Sequence, residues 1–260
     1  NNNYFLGISE MAPDEAILRY NLDAPTVRTL ISNDEHDISS NWLPTDVKAA
    51  IGNSGDKLAK VVSAGGWYFK INTTRAPLDD VNCRKSLAYA LDYDSLVGTF
   101  QVTDDIAAGQ KARGPIPQGM IGYSENVPLV EYNLDKARDY LSKCKYSGDD
   151  LKVTINWIAE VPFEESWALI LQQGAMAIGY DATVETLPWA VFTEQVTKPE
   201  TTPNLSIVAV QAQTPDPDGL IYNMYHSAAA GTWQSTEWLQ DDKIDAMLNS
   251  GRTTIDGNER

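Results

Sequence analysis

Apolar residues recur along this 260-residue chain in two rhythms, and the second half shows both most clearly. Leu151, Val153, Ile155 and Trp157 alternate with Lys152, Thr154 and Asn156, which predicts a strand buried on one face. Phe163, Trp167, Ile170, Leu171 and Ile178 then follow helical spacing, which predicts a helix closed by Gly179. Tyr180 to Leu187 alternates again as a strand. Leu205 to Val210 is a continuous apolar run, the pattern of a buried central strand. Strand, helix and strand in series predict an α/β sheet with crossover helices.

The first half is read the same way. Ala24 to Ser32 predicts a short helix with Val27, Leu30 and Ile31 on one face. A turn begins at Asn33, with a short strand expected around Asp37 and Ile38. Pro44 to Ile51 predicts a helix, with proline in its first turn and Gly52 past its end. Trp67 to Ile71 is an aromatic-rich strand. A helical tract capped by Asp79 or Asp80 follows, then one from Asp92 to Phe100 capped by Asp92. Ala107 to Asn126, rich in Gly and Pro, predicts a long loop, and such loops are often functional. Leu134, Ala137, Leu141 and Cys144 predict a helix capped by Asn133, with Asp139 and Lys143 paired one turn apart. Ile244, Met247 and Leu248 predict a last short helix between Asp241-Asp242 and Gly251.

Charge narrows the partners. The chain carries 36 acidic and 20 basic residues, a net −16. Such a field repels nucleic acid and anionic lipid, and otherwise serves solubility. No apolar run approaches the roughly 20 residues of a membrane span, and no leader pattern opens the chain. It lacks an initiator Met and stops abruptly at Asn258-Glu259-Arg260, so a piece of a longer protein is expected. The two cysteines, Cys83 and Cys144, read equally as one disulfide or as two buried thiols.

Catalytic patterns are missing from the sequence. His36 and His226 lie far apart. There is no Gly-x-Ser-x-Gly elbow, phosphate loop, dinucleotide fingerprint or His-Glu-x-x-His. Asp216-Pro217-Asp218-Gly219 has too few alternating oxygens for a calcium loop and reads as a turn. No metal and no cofactor are expected. The aromatics say more. Trp167 fits a helix core face and Trp157 the apolar side of its strand, whereas Trp42, Trp189 and Trp233 fall in predicted loops. Aromatic side chains on loops often line ligand clefts.

Several segments, in order, resemble the family-5 extracellular solute-binding proteins, the peptide and nickel class of ABC-importer receptors. Arg84 to Asp92 resembles the family stretch "vRqAl.yAiD" and is the most specific match. Asn3-Tyr4-Phe5 and Asn33 to Ile38 resemble its "RNPNY" and "nGevDi" stretches. Trp67 to Thr73, followed by Ala76 to Asp80, resembles "yl.fNt...Pf.d". Gly114 to Pro117, Tyr132 to Ala137, Ile178-Gly179 and Asp216 to Gly219 fit further motifs, and Glu259-Arg260 starts one that is cut off. Each is weak alone, and their order over nearly the whole chain is what carries the resemblance.

The resemblance implies an α/β, periplasmic-binding-protein-like (type II, two-lobed) fold. Residues 1–66 would be a remnant of lobe one, and 67–260 the hinge strand and a nearly complete lobe two. It implies a non-enzymatic, monomeric receptor, periplasmic or extracellular, with a lipid anchor as an option for the full-length protein. Its partners would be a small-molecule ligand and an ABC permease. Peptide-binding members carry a Trp-x-x-Asp element before the "DPd" loop, whose Asp holds the peptide amine. Those positions here are Val210 and Gln213, so the charge is replaced by an amide. Gln211 and Gln213 then suit a neutral polar ligand such as a glycoside, while Glu160 keeps a cationic or peptide-like ligand open. The expected ligand residues are Trp42, Trp157, Glu160, Gln211, Gln213, Asp216 and Trp233. The rival readings are a carboxylate-dependent hydrolytic enzyme and a receptor that presents ligand to a sensor.

Overall fold

The computed structural model describes residues 12–20, 22–39, 45–49 and 63–257. The chain divides into two compact units, Asn1–Leu58 and Ala59–Arg260. In the first, helix α1 (Ala24–Ser32) starts where the Asp23 carboxylate accepts the Thr26 N–H at 2.7 Å, with Pro25 in the first turn. Residues 45–49 are helical, and Arg28 pairs with Asp46 at 3.1 Å. The strand expected at Asp37-Ile38 does not form. These residues lie in a non-strand stretch, with Ile38 exposed and no neighbouring strand to pair with among the described residues.

The second unit is built on a four-stranded sheet. Its strands are β1 (Gly65–Ile71), β4 (Lys152–Ile158), β5 (Asp181–Leu187) and β6 (Leu205–Gln211), in the order β1-β6-β4-β5. β4 runs parallel to both β5 and β6, whereas β1 joins the β6 edge antiparallel. Helix α5 (Glu164–Ile178) makes the crossover between β4 and β5. Its buried positions Trp167, Ala168, Leu171, Ala175 and Ile178 follow helical spacing, and Gly179 ends it at φ +111°. A left-handed residue at a helix end suits glycine, which has no Cβ to clash.

Helix α5 packs on one face of the sheet together with α2 (Val81–Ala90), α3 (Tyr93–Gly98) and α4 (Leu134–Leu141). The caps are those expected: Asp80 accepts from Asn82 N, Asp92 from Asp94 N and Ser95 N, and Asn133 from Lys136 N. Gly174 on α5 lies so close to α2 that a Cβ there would stand 1.9 Å from the Ala90 carbonyl oxygen. The cysteines resolve to a Cys83–Cys144 disulfide with Cα atoms 5.3 Å apart, tying α2 to the segment after α4.

The other face is covered as well, which the alternation in β4 did not predict. Phe192 and Val196, in and just after α6 (Trp189–Gln195), and Leu220 and Met224 of α7 (Asp218–Tyr225) bury Ile158, Val208 and Val210. Asn156, expected on a wet face, is therefore 1% exposed. Helix α8 (Asp242–Thr253) packs on α7 and continues through Gly251, beyond its expected end. Between α3 and α4 the chain forms a small hairpin, β2 (Gln101–Thr103) with β3 (Ile106–Ala107), and then the predicted long loop. Tyr68 of edge strand β1 donates its hydroxyl hydrogen to Pro115 O in that loop at 2.9 Å.

Candidate functional site

In open α/β sheets ligands bind beyond the carboxyl ends of parallel strands, because loops diverge there and leave polar backbone and side chains exposed. The register places those ends together. Trp157 pairs with Thr186 and Ile158 with Leu187, so β4 and β5 finish side by side. β6 runs parallel to β4 and finishes at Gln211, opposite Gly65 at the start of β1. One rim of the sheet therefore carries the segments that begin after Ile158, Leu187 and Gln211.

Two of these segments are locked to each other. Ala159 N donates to Leu187 O at 3.0 Å, and the Glu160 carboxylate accepts the Trp189 N–H at 2.9 Å. Trp189 is the first residue of α6, so Glu160 satisfies a helix N-terminal donor and sits where the helix dipole favours an anion. The Trp189 ring meets Trp233 edge-on, with centroids 5.4 Å apart, and lies 5.7 Å from Phe192. Trp189 is 38% exposed, whereas Trp233 is partly buried against the second-face core. Together they form an aromatic ledge beside an exposed carboxylate.

The third segment supplies amides. Gln211 and Gln213 are exposed, and Ala212 between them is held by its N–H to Ala64 O at 3.0 Å. Asp216 lies further along this segment, and its carboxylate accepts the Asp218 N–H at 2.8 Å, shaping the turn into α7. The Asp218 carboxylate is clamped by Arg252 through two 2.9 Å bonds, and the guanidinium lies 3.5 Å over the Tyr222 ring. This accounts for the Asp216-to-Gly219 motif as a turn. Trp157 is half-buried and packs on the main core from the face covered by α5. Trp42 lies outside the described residues.

Trp189 is the residue that sequence reasoning placed least well. It was expected in a loop, but Pro188 immediately before it marks the start of a helix. A separate cleft of about 260 Å³ opens under the long loop, lined by Tyr68, Tyr93, Lys111, Pro115, Leu129 and Tyr225 among others, and by none of the expected ligand residues. One trio of potential metal ligands lies within 4.8 Å among the described residues, Asp80 with Cys83 and Cys144. Both sulfurs are consumed by the disulfide, and Asp80 accepts backbone N–H groups of Asn82 and Lys145.

No helix among the described residues is long and apolar enough to cross a membrane. The chain is similar to the probable D,D-dipeptide-binding periplasmic protein of Escherichia coli, 24% identical over 234 residues, covering 90% of this chain and 44% of that protein. It is 25% identical over 200 residues to heme-binding protein A of Haemophilus influenzae, covering 74% of this chain and 35% of that one. Among solved structures it resembles the oligopeptide-binding protein AppA of Bacillus subtilis in complex with a nonapeptide. The TM-score is 0.75 at 22% identity, over 91% of this chain and 48% of that chain. The chain thus spans less than half the length of these relatives. The model of bacterial extracellular solute-binding proteins, family 5 middle, matches residues 1–232. The chain belongs to family 5 of the bacterial extracellular solute-binding proteins.

Proposed function

We propose that this chain is the larger part of one wall of the ligand cleft in the substrate-binding component of an ABC importer. The single observation that supports this reading is that Glu160 and Trp189 are hydrogen-bonded, with Trp233 packed on Trp189, on the same rim of the sheet where β6 ends at the exposed Gln211. Such a rim offers a flat apolar contact with a few hydrogen-bonding groups, the usual make-up of a small-molecule site. Ligand contacts would favour a closed state of the whole protein, and a membrane permease would read that state. No covalent step is required. The disulfide supports a periplasmic or extracellular location, since disulfides persist in oxidising compartments.

The ligand we favour is a small polar solute, an oligosaccharide or glycoside or a peptide-like molecule. Two exposed glutamines offer donors and acceptors without charge, and the tryptophan ledge suits a sugar or side-chain face. A second reading, a ligand carrying a free amine, is favoured by Glu160, whose exposed carboxylate lies beside the ledge. Trp157 and Asp216 act from the edges of the wall in both readings.

The test is a thermal-shift screen of the full-length protein against oligosaccharides, peptides and cationic metabolites, because a ligand that binds only the folded state raises its melting temperature. A shift with a neutral sugar, lost in Gln213→Ala, supports the first reading. A shift with peptides, lost in Glu160→Gln, supports the second. No shift with any class, together with turnover of a bound compound, would refute the transport reading.

A further inference from the structure

A row of three buried polar side chains crosses the second face of the sheet. Ser206 of β6 pairs with Lys70 of β1 on one side and with Asn156 of β4 on the other. Partners in register point to the same face, and all three are at most 2% exposed. The Lys70 ammonium donates to Gln234 O at 2.6 Å and to Glu237 Oε1 at 2.7 Å. The rings of Tyr68 and Tyr225 each stand 5.7 Å from its nitrogen. An ammonium has three protons, so one N–H remains. Ser206 Oγ, Asn156 Nδ2 and Glu237 Oε2 are likewise buried, and none finds a partner within the described chain.

Buried polar groups left unsatisfied are costly, and native proteins satisfy nearly all of them. The four groups complement one another. Lys70 and Asn156 supply N–H donors, Glu237 supplies an acceptor, and the Ser206 hydroxyl can serve as either. We infer that Lys70, Ser206, Asn156 and Glu237 form a binding site for one internal water molecule, built into the middle of the sheet. Its oxygen accepts from Lys70 and Asn156, and its two hydrogens go to Glu237 Oε2 and Ser206 Oγ. Lys70 and Asn156 each stand one strand spacing, about 4.8 Å, to either side of Ser206, and the short serine side chain leaves room above it for one oxygen between the two longer side chains. A metal cation would face the ammonium and the amide N–H groups, and an anion would face the Glu237 carboxylate. Only a species that both donates and accepts fits all four, and water is the smallest.

The decisive measurement is a high-resolution crystal structure of this chain, combined with oxygen-17 magnetic relaxation dispersion on the wild type and on Asn156→Leu. We expect a density peak within hydrogen-bond distance of at least three of the four atoms, and one fewer long-lived water in the variant. A direct bond from Asn156 to Ser206 or Glu237 with no density between them would overturn the inference. So would a peak that rubidium soaking replaces with a heavier ion. If Asn156→Leu does not fold, the wild-type density decides alone.

Discussion

The carboxylate of Glu160, just past the end of β4, accepts the backbone N–H of Trp189, just past the end of β5, at 2.9 Å. A side chain that points to the rim thereby fixes the first turn of the helix that presents the neighbouring indole. Charge and aromatic ledge are coupled, and a change in one should be felt by the other.

Glu160→Ala leaves the Trp189 N–H without its acceptor. Since Glu160 is exposed, the stability loss should be small, about 1 kcal/mol or less. Ligand affinity of the full-length protein should fall further than this, because the ledge loses its anchor. Urea denaturation and calorimetric titration, run side by side, separate the two effects.

Trp189→Ala removes an indole that is partly exposed and packs on Trp233. Folding should suffer modestly, whereas binding of any ligand that stacks on the ledge should weaken by at least about tenfold, the equivalent of 1.4 kcal/mol. Equal binding by wild type and variant would remove Trp189 from the ligand wall.

Lys70 and Glu237 form a buried ion pair. Burial pushes the Lys70 ammonium below its usual range and lifts the Glu237 carboxyl, while each partner's charge opposes the other's shift. Breaking such a pair strands a charge in the interior. Lys70→Met alone should cost about 3–5 kcal/mol in urea unfolding, and the double variant Lys70→Met/Glu237→Leu should recover most of that loss.

Glu164 opens α5 and is 1% exposed, and burial lifts its carboxyl from 4.5 to about 7 against the pull of its bonds from Ile158 N and the Trp67 indole. The unfolded chain gives up this proton first as pH rises. Its contribution to stability is therefore full below pH 4.5 and is lost as pH climbs to about 7, a swing on the order of 3 kcal/mol. Denaturation midpoints measured from pH 4 to 8 should show this slope, and Glu164→Gln should flatten it.

The Cys83–Cys144 bridge closes a sequence separation of 61 residues. Reduction should lower stability by about 2–4 kcal/mol, chiefly by freeing the unfolded chain. Melting curves with and without a phosphine reductant test this, and the Cys83→Ser/Cys144→Ser variant should match the reduced protein.

Local chemistry made much of this fold readable. Helices α1 to α4 announce themselves through caps, because Asp23, Asp80, Asp92 and Asn133 act on neighbours two or three residues away, and α5 through its apolar spacing. Position 156 was misread for the opposite reason. Whether a polar residue in a strand meets water depends on α6 and α7, which arrive much later in the chain. The short helices α6 and α7 are themselves faint in sequence, since neither Pro188 nor Pro217 leaves a side-chain capping bond. Lys70 reads as an ordinary polar strand residue until Glu237 is brought to it. At the rim, Glu160, Gln211 and Gln213 are nominated by the family resemblance and by no pattern of their own. Their grouping, and the tie from Glu160 to Trp189, depend on strand register, which no local pattern fixes.

The antiparallel seating of β1 on β6 has a temporal consequence. β1 is among the first parts of this unit to be synthesised, yet its pairing partner is separated from it by β4, β5 and every helix from α2 to α6. Non-local pairing of this kind is slow, because a long stretch of chain must be organised before the contact forms. A nascent chain would carry β1 as an unpaired segment until β6 emerged. Under the proposed function, which calls for export before folding, that delay would keep the sheet open until most of the unit has been made.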